Sequence, residues 1–456
     1  MDALFVFILF FASLLFSIYC GVSILYPLLL GLVCFTLISL RRGYNLSSLL
    51  RMMLKGSKTS LIVIKIFVLI GAITAVWRAC GTISFIVYYG MAFMSVKYFI
   101  LDSFLLSCLV SFLLGTSFGT VGTIGVALIV LAQSGNVDIN TAAGAIIAGA
   151  YFGDRCSPMS SSANLIASLT NTKLYINITN MLKTSVVPFV LSIIGYMYLS
   201  HLHPLAFYNN QIVQEILDSF NISIIVLFPA VIILLLSSFR VDVKHSMSIS
   251  ILSGILIGLF VQNITFFEMI KFIFSGYSMD KSGLFANIIK GGGLFSMFKV
   301  SLIVVISSAY SGIFEGTGLL CEIEQLFEKL SEKISVFPAT ILSSIATAAF
   351  SCNQTLAVML THQFERKIYE KRQLSNYRLA LDMENTVILI SALIPWNIAG
   401  VVPAATLSAD AGFIIYAFYL FLVPLTNLFT RKMIIATDST VTTAPNNFPS
   451  KTEAGT

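Results

Sequence analysis

Two stretches of this sequence gather oxygen ligands and acids inside otherwise apolar surroundings. The first runs from Ser111 to Asn164: SFLLGTSFGTVGTIG, an apolar segment, then GAIIAGAYFGDRCSPMSSSAN. The second includes TAAFSCNQTLAVML from Thr347 and ENTVILISALIPWN from Glu384. Asp154 is the sharpest candidate. Ionised, it can hold a cation; neutral, it carries a proton, and one group doing both in turn is the minimal exchange device. Thr116, Ser117, Thr120 and Thr123 add hydroxyls, as do Ser160, Ser161 and Ser162, with the Asn164 amide beside them. Asn353, Gln354, Thr355, Asp382, Glu384, Asn385 and Asn397 are the corresponding groups of the second stretch. Hard oxygens of this kind suit a dehydrated Na+, with Asp154, Asn164 and Thr120 as its expected ligands. The competing reading of Asp154 is a salt bridge to Arg155; that of the hydroxyls is close helix packing through small residues.

The rest of the chain says what must position these groups. It has 456 residues, 57% hydrophobic and 11% charged, with mean hydropathy +0.92 and net charge +6. A soluble domain carries about a quarter charged residues, so the chain reads as polytopic membrane protein throughout. A carboxylate at the bilayer centre costs about 3 kcal/mol on insertion scales and is usually retained for function. Helix breaks survive at that depth only where protein or a water-filled cavity covers them. Gly-rich breaks beside an acid therefore point to the ion or substrate site of a transporter. No compact basic region suits nucleic acid. The seven cysteines are scattered without a C-x-x-C and read as packing residues. The N-terminal MDALFVFILFFASLLFSIYC lacks a basic n-region and reads as a first membrane helix rather than a signal peptide.

Apolar runs predict about eleven to thirteen membrane elements. Ile124–Gln133, Ala142–Tyr151 and Thr386–Ala399 are too short to span and read as half-helices or re-entrant pieces. Basic loops at Arg41–Lys58, Arg240–His245 and Glu365–Arg378, with Arg431 and Lys432, place both termini in the cytoplasm. The polar end, 431–456, reads as a disordered cytoplasmic tail on a transporter domain of residues 1–430. Cys321–Ile334 reads as an interfacial amphipathic helix.

The two stretches also suggest an internal duplication, with repeat 1 at about residues 60–200 and repeat 2 at about 290–430. Thr116 to Thr347 is an offset of 231 and Asn164 to Asn397 one of 233. Ser134–Asn140 lacks Lys and Arg, whereas Glu365–Arg378 has five, which is the charge signature of inverted repeats. Gly115-Thr116-Ser117-Phe118-Gly119 matches G-x-S-x-G, but a nucleophile elbow needs a strand before it, and here an apolar helix precedes Ser117. His201, His203, His245 and His362 lie in or beside polar loops, so no buried base is available and an enzyme is not expected.

From about residue 110 to 430 the chain resembles the NhaC family of sodium/proton antiporters. The matching segments are GTSFGTVGTIG at Gly115, GAYFGDRCSPMSSSANL at Gly149, SGIFEGTGLL at Ser311, NQTLAVML at Asn353 and ENTVILISALIPWNIAG at Glu384. The resemblance implies a proton-motive-force-driven exchanger in a bacterial inner membrane. It implies Asp where this chain has Ser161 and Asn353, and an acidic pair near Asp382, where Met383 and Glu384 alter the register. Asp154, Asn164, Pro395, Trp396 and Asn397 are kept. Asp154, Asp382 and Glu384 are then the acids left to titrate. The expectation is an all-α polytopic bundle with two inverted repeats and broken helices at the midplane. It exchanges Na+ for H+ without a cofactor, and a homodimer is compatible with it. A Na+- or H+-coupled carrier of a small organic anion or amino acid is the alternative.

Overall fold

A computed structural model describes residues 2–20, 22–93, 97–205, 210–239, 241–279, 283–319, 334–351 and 353–438. Among the described residues all regular structure is helical, apart from one isolated bridge between Tyr277 and Gly291. Three helices of the described residues are long and apolar enough to cross a membrane, and three bent pairs raise that to six. Five shorter apolar helices accompany them. Residues 321–333 of the expected amphipathic helix and 439–456 of the expected tail lie outside the described residues.

The helices that matter here are α1 (Asp2–Tyr19), α2 (Leu25–Arg41), α3 (Leu46–Ala79), α4 (Thr82–Phe93), α5 (Phe99–Leu114) and α6 (Ser117–Ser134). They are followed by α7 (Ile139–Cys156), α8 (Ser161–Leu169) and α9 (Leu174–Leu202). After the connecting elements come α10 (Phe298–Thr317), α11 (Val336–Ser351), α12 (Gln354–Lys371), α13 (Asn376–Leu393), α14 (Ile398–Thr406) and α15 (Phe418–Asp438).

Four consecutive helices recur at one spacing. Phe99 to Val336, Leu114 to Ser351, Ser117 to Gln354 and Ser134 to Lys371 are each 237 residues apart. So are Ile139 to Asn376, Cys156 to Leu393, Ser161 to Ile398 and Leu169 to Thr406. The turns repeat as well: Asn136 at φ 55° matches Gln373 at 53°, and Asn171 at 52° matches Ser408 at 57°. The register is therefore 237, not the 231–233 obtained by pairing Thr with Thr and Asn with Asn. The equivalent positions are helix N-caps, where Ser, Thr, Asp and Asn substitute for one another. Thr116 at φ −144°, ψ 134° corresponds to Asn353 at −142°, 129°. Asp138 corresponds to Ser375, and Ser160 to Asn397, each with its side chain accepting from a backbone N–H of the helix it starts.

Each unit is a helical hairpin followed by a broken span. In the second unit Thr340 reaches Glu365 and Tyr369 while Thr347 reaches Thr361, so α11 and α12 run antiparallel. Their tip lies at Asn353. In the first unit α5 runs parallel to α7, with Phe104 and Ser107 against Gly149 and Ser111 against Gly153. Helix α6 turns directly into α7, so α5 and α6 form the matching hairpin with its tip at Gly115–Thr116. The broken spans are α7/α8, interrupted at Ser157–Ser160, and α13/α14, bent by 54°. The expected short pieces are thus revised. Ile124–Gln133 belongs to the continuous α6, which passes Gly122 and Gly125 through a π-turn at Val121–Gly125. Ala142–Tyr151 lies inside the 18-residue α7. Thr386–Ala399 straddles the second break. The units embrace reciprocally: α8 packs on α12 and α14 on α6, while α7 packs on α15 and α13 on α9.

Helices α1, α2, α3 and α10 flank this assembly. Where α3 crosses α10, a Cβ on Gly312 would collide with the Met52 carbonyl oxygen. Small residues let membrane helices approach this closely. Gly312→Val should force the helices apart and cost about 1–3 kcal/mol. The expected outcome is a lower melting temperature in detergent, beside an unchanged Leu109→Val at a position 60% exposed. Equal melting of both variants would disprove the crossing.

Candidate functional site

The hairpin tips converge on Asp154. Its carboxylate accepts from Ser117 Oγ and from Gln354 Nε2, both at 3.4 Å. Ser117 and Gln354 are equivalent residues, each the first of the returning hairpin arm. Asp154 is buried on α7, two residues before that helix ends at Cys156. Gln354 also donates to the Ile388 carbonyl at 3.2 Å, so it ties α13 to the carboxylate. The Asp154 main-chain carbonyl accepts from Ser162 Oγ at 2.8 Å and from Ser160 Oγ. One turn earlier, the Tyr151 hydroxyl donates to the Ala399 carbonyl at 2.7 Å, in the first turn of α14. Parts of both units therefore surround one carboxylate, whose two side-chain donors are long for hydrogen bonds to a charged acceptor.

The other sequence candidates divide. Thr116 and Asn353 cap the hairpin tips, accepting from Gly119 N at 2.8 Å and Thr355 N at 2.9 Å. Thr120 donates to the Thr116 carbonyl at 2.9 Å, one turn beyond Ser117. Asn397 caps α14 and donates to the Ala348 carbonyl at 2.7 Å. These residues shape the backbone around the site. Ser161 and Asn164 are exposed on α8, and the Asn164 amide donates to the Ser160 carbonyl at 2.6 Å. The structure does not bring them to the carboxylate as Ser117 and Gln354 are brought. Ser117 follows an α-helix, which removes the strand context of a nucleophile elbow.

Arg155 does not pair with Asp154 in a hydrogen bond. Its guanidinium points to a different face of α7 and donates to Ser185 Oγ at 2.5 Å, Tyr419 OH at 2.8 Å, Thr184 Oγ1 at 2.8 Å and the Met181 carbonyl at 3.2 Å. It also donates to Asn385 Oδ1. It is wholly buried and fastens α7 to α9, α13 and α15. Glu384 is wholly buried too, and neither of its oxygens has a hydrogen-bond partner among the described residues. Its electrostatic neighbours are Arg155 and Asp154. Asp382 lies apart from this pair, bound by Arg378 Nε at 3.1 Å and Tyr369 OH at 2.7 Å.

Sequence reasoning missed Glu365, Tyr369 and Arg378. They were absorbed into a basic loop, ERKIYEKRQLSNYR, yet most of it is helix. The signal was available: Glu365, Ile368 and Tyr369 sit on one buried face while Arg366, Lys367 and Glu370 are exposed.

Arg155 generates a stability test. Arg155→Met strands several buried acceptors and leaves Glu384 without its neighbouring cation; each unsatisfied group costs about 1–3 kcal/mol. Arg155→Lys should restore the charge and not the fork of bonds. Melting in detergent should fall sharply for Met and partly for Lys. Wild-type melting of the Met variant would show that the network carries no stability.

Residues 149–430 match the model of the Na+/H+ antiporter family. The chain is 31% identical over 391 residues to the Na(+)/H(+) antiporter NhaC of Alkalihalophilus pseudofirmus, covering 84% of each chain. It is 29% identical over 410 residues to the Na(+)/H(+) antiporter NhaC of Bacillus subtilis, covering 88% of this chain and 90% of that one. It is also 27% identical over 405 residues to a malate-2H(+)/Na(+)-lactate antiporter of Bacillus subtilis, covering 87% and 86%. The family match begins on α7 just before Asp154 and runs through the whole second unit, and the relatives cover most of the chain: the chain belongs to the NhaC group of the Na+/H+ antiporter family.

Proposed function

We propose that the protein is a secondary antiporter that exchanges cytoplasmic Na+ for external H+ at Asp154. The observation that carries this reading is the loosely held carboxylate between two equivalent hairpin tips, with donors at 3.4 Å on either side. A buried carboxylate needs a proton or a cation to offset its lost hydration. Na+ takes hard oxygens, and Asp154 with the Ser117 hydroxyl and carbonyls freed at the breaks supplies them. Proton and Na+ would then compete for one group, and that competition is the coupling. The tips and breaks come from both units, so a relative movement of the units would open the site to one side and close it to the other.

The orientation follows from the loops. The turn after α6 carries Asp138 and no base, while the equivalent turn after α12 is flanked by Lys371, Arg372 and Arg378. The positive-inside rule puts the first outside and the second in the cytoplasm, which makes the repeats inverted and both termini cytoplasmic. Asn136 and Gln373 are equivalent, exposed turn residues. In a cysteine-free background, Asn136→Cys should react with an impermeant thiol reagent from outside only, and Gln373→Cys from inside only. Labelling of both from one side would rule out inversion.

The second reading, a carrier of an organic anion, is favoured by the similarity to the malate/lactate antiporter. Against it, the guanidinium next to Asp154 that could grip a substrate carboxylate is already filled by protein acceptors. Proteoliposomes separate the two. Na+ alone should dissipate an imposed pH gradient, and Asp154→Asn should abolish this while the protein still inserts and purifies. A requirement for malate, lactate or another organic solute would favour the second reading. Near-normal exchange by Asp154→Asn would overturn the first.

A further inference from the structure

We propose that Glu365 is a second proton-carrying residue of this transporter, and that it exchanges its proton with Asp382 through the hydroxyls of Thr340 and Tyr369. The inference rests on the antiport reading for its purpose and on a separate cluster for its geometry. Glu365 lies on α12, six residues before that helix ends at Lys371. At 1.5 Å per residue it is about 9 Å from the basic end of the helix. Only 1% of its surface is exposed. Its carboxyl group accepts from Ser343 Oγ at 2.6 Å and from Thr340 Oγ1 at 3.1 Å. Thr340 Oγ1 lies 3.0 Å from the Tyr369 hydroxyl, which donates to Asp382 Oδ2 at 2.7 Å. The Arg378 guanidinium fixes the far end, 3.1 Å from the same oxygen.

These contacts form an unbroken chain from one carboxyl group to the other. A proton on Glu365 can pass to the Thr340 oxygen as the Thr340 proton passes to Tyr369 and the Tyr369 proton passes to Asp382. Each oxygen ends with the hydrogens it began with, except that Glu365 has lost one and Asp382 has gained one. The surroundings set the charge. Two carboxyl groups share one guanidinium, so the cluster is neutral with one proton on it and singly negative without. Ser343 and Thr340 on α11 face Glu365 as neutral hydroxyls. Arg378 and Asp382 are the charged groups facing from α13. Arg366 and Glu370 pair at 2.9 Å on the exposed side of α12, and His362 lies one turn back toward the tip.

Two independent features support a functional role: a polar path toward the ion site and the repeat. Beyond it α11 carries Ser344, Thr347 and Ser351 toward the hairpin tip. Ser344 donates to Thr386 at 2.9 Å, and Thr347 lies 2.7 Å from Thr361. Glu384, two residues after Asp382, is a buried acid with no hydrogen-bond partner among the described residues, beside Arg155 and Asp154. Second, the repeat isolates the device. At the 237-residue register, Thr340, Glu365, Tyr369, Arg378 and Asp382 correspond to Ser103, Leu128, Ala132, Thr141 and Ala145. Ionisable side chains are not needed to close this packing, because the first unit closes it with Ser, Leu, Ala, Thr and Ala. Glu365 also supplies an acid where the chain lacks those at Ser161 and Asn353.

The test uses the full-length protein. In proteoliposomes, Glu365→Gln should flatten the pH dependence of Na+-driven proton flux and lower its maximal rate at least tenfold, with the KM for Na+ changed less than twofold. Tyr369→Phe keeps the ring and removes only the relaying hydroxyl; it should slow exchange without moving the KM. Glu365→Asp should restore part of the pH response. Purified protein gives a readout independent of transport. An infrared difference spectrum across a pH step should contain a carboxylic-acid band that Glu365→Gln removes. Wild-type flux with no Na+-dependent proton movement would refute the antiport reading, and the infrared band would still decide Glu365. An unchanged spectrum, or normal pH dependence in both Glu365→Gln and Tyr369→Phe, would overturn the proposal.

Discussion

A helix that stops inside hydrocarbon must satisfy its free N–H groups from the protein itself, because no water is present to do so. Among the described residues four helices of the two units restart after such stops, at the two hairpin tips and the two span breaks, and each restart carries its own cap. Thr116, Ser160, Asn353 and Asn397 each accept from a backbone N–H of the helix they begin. An exposed cap is worth about 1 kcal/mol, but an unsatisfied group in an apolar medium costs several. The caps are therefore a condition for having breaks at all. They hold the break backbone rigid and leave Asp154 as the group with loose partners.

That constraint explains what could be read from the sequence. The composition and the clustering of Gly, Ser and Asn around an acid gave the membrane class and pointed to Asp154. The duplication was visible, but its register was not. Residue identity was matched across halves, and the structure conserves capping role instead: Thr116 stands for Asn353, Asp138 for Ser375, Ser160 for Asn397. Gly122 and Gly125 looked like breaks, yet the helix runs through them with a π-turn, since neighbouring helices cover its backbone. Arg155 was weighed as the partner of Asp154 from adjacency alone. Successive residues on a helix point about 100° apart, and that rotation sends the two side chains to different neighbours. Glu365 was lost because a run of charges reads as a loop unless its 3.6-residue period is checked.

The same register shows how a symmetric scaffold carries asymmetric chemistry. Hairpins, breaks, turns and reciprocal packing repeat between the units, yet the charged groups do not. Asp154 and Arg155 correspond to Ser391 and Ala392, and Glu384 to Ile147. Ser391 simply donates to the Val387 carbonyl of its own helix at 2.6 Å. A second carboxylate at that position would place two acids among the same converging elements, and like charges that close cannot both ionise. Instead Asp154 is met by two neutral donors, Ser117 and Gln354, and the nearby acid Glu384 has the Arg155 guanidinium as its larger charged neighbour. On the proposed reading of Asp154, further proton capacity has to sit where it does not raise the charge there, in a cluster with its own guanidinium. The Glu365–Asp382–Arg378 group, on the other side of the hairpin from its tip, meets that requirement.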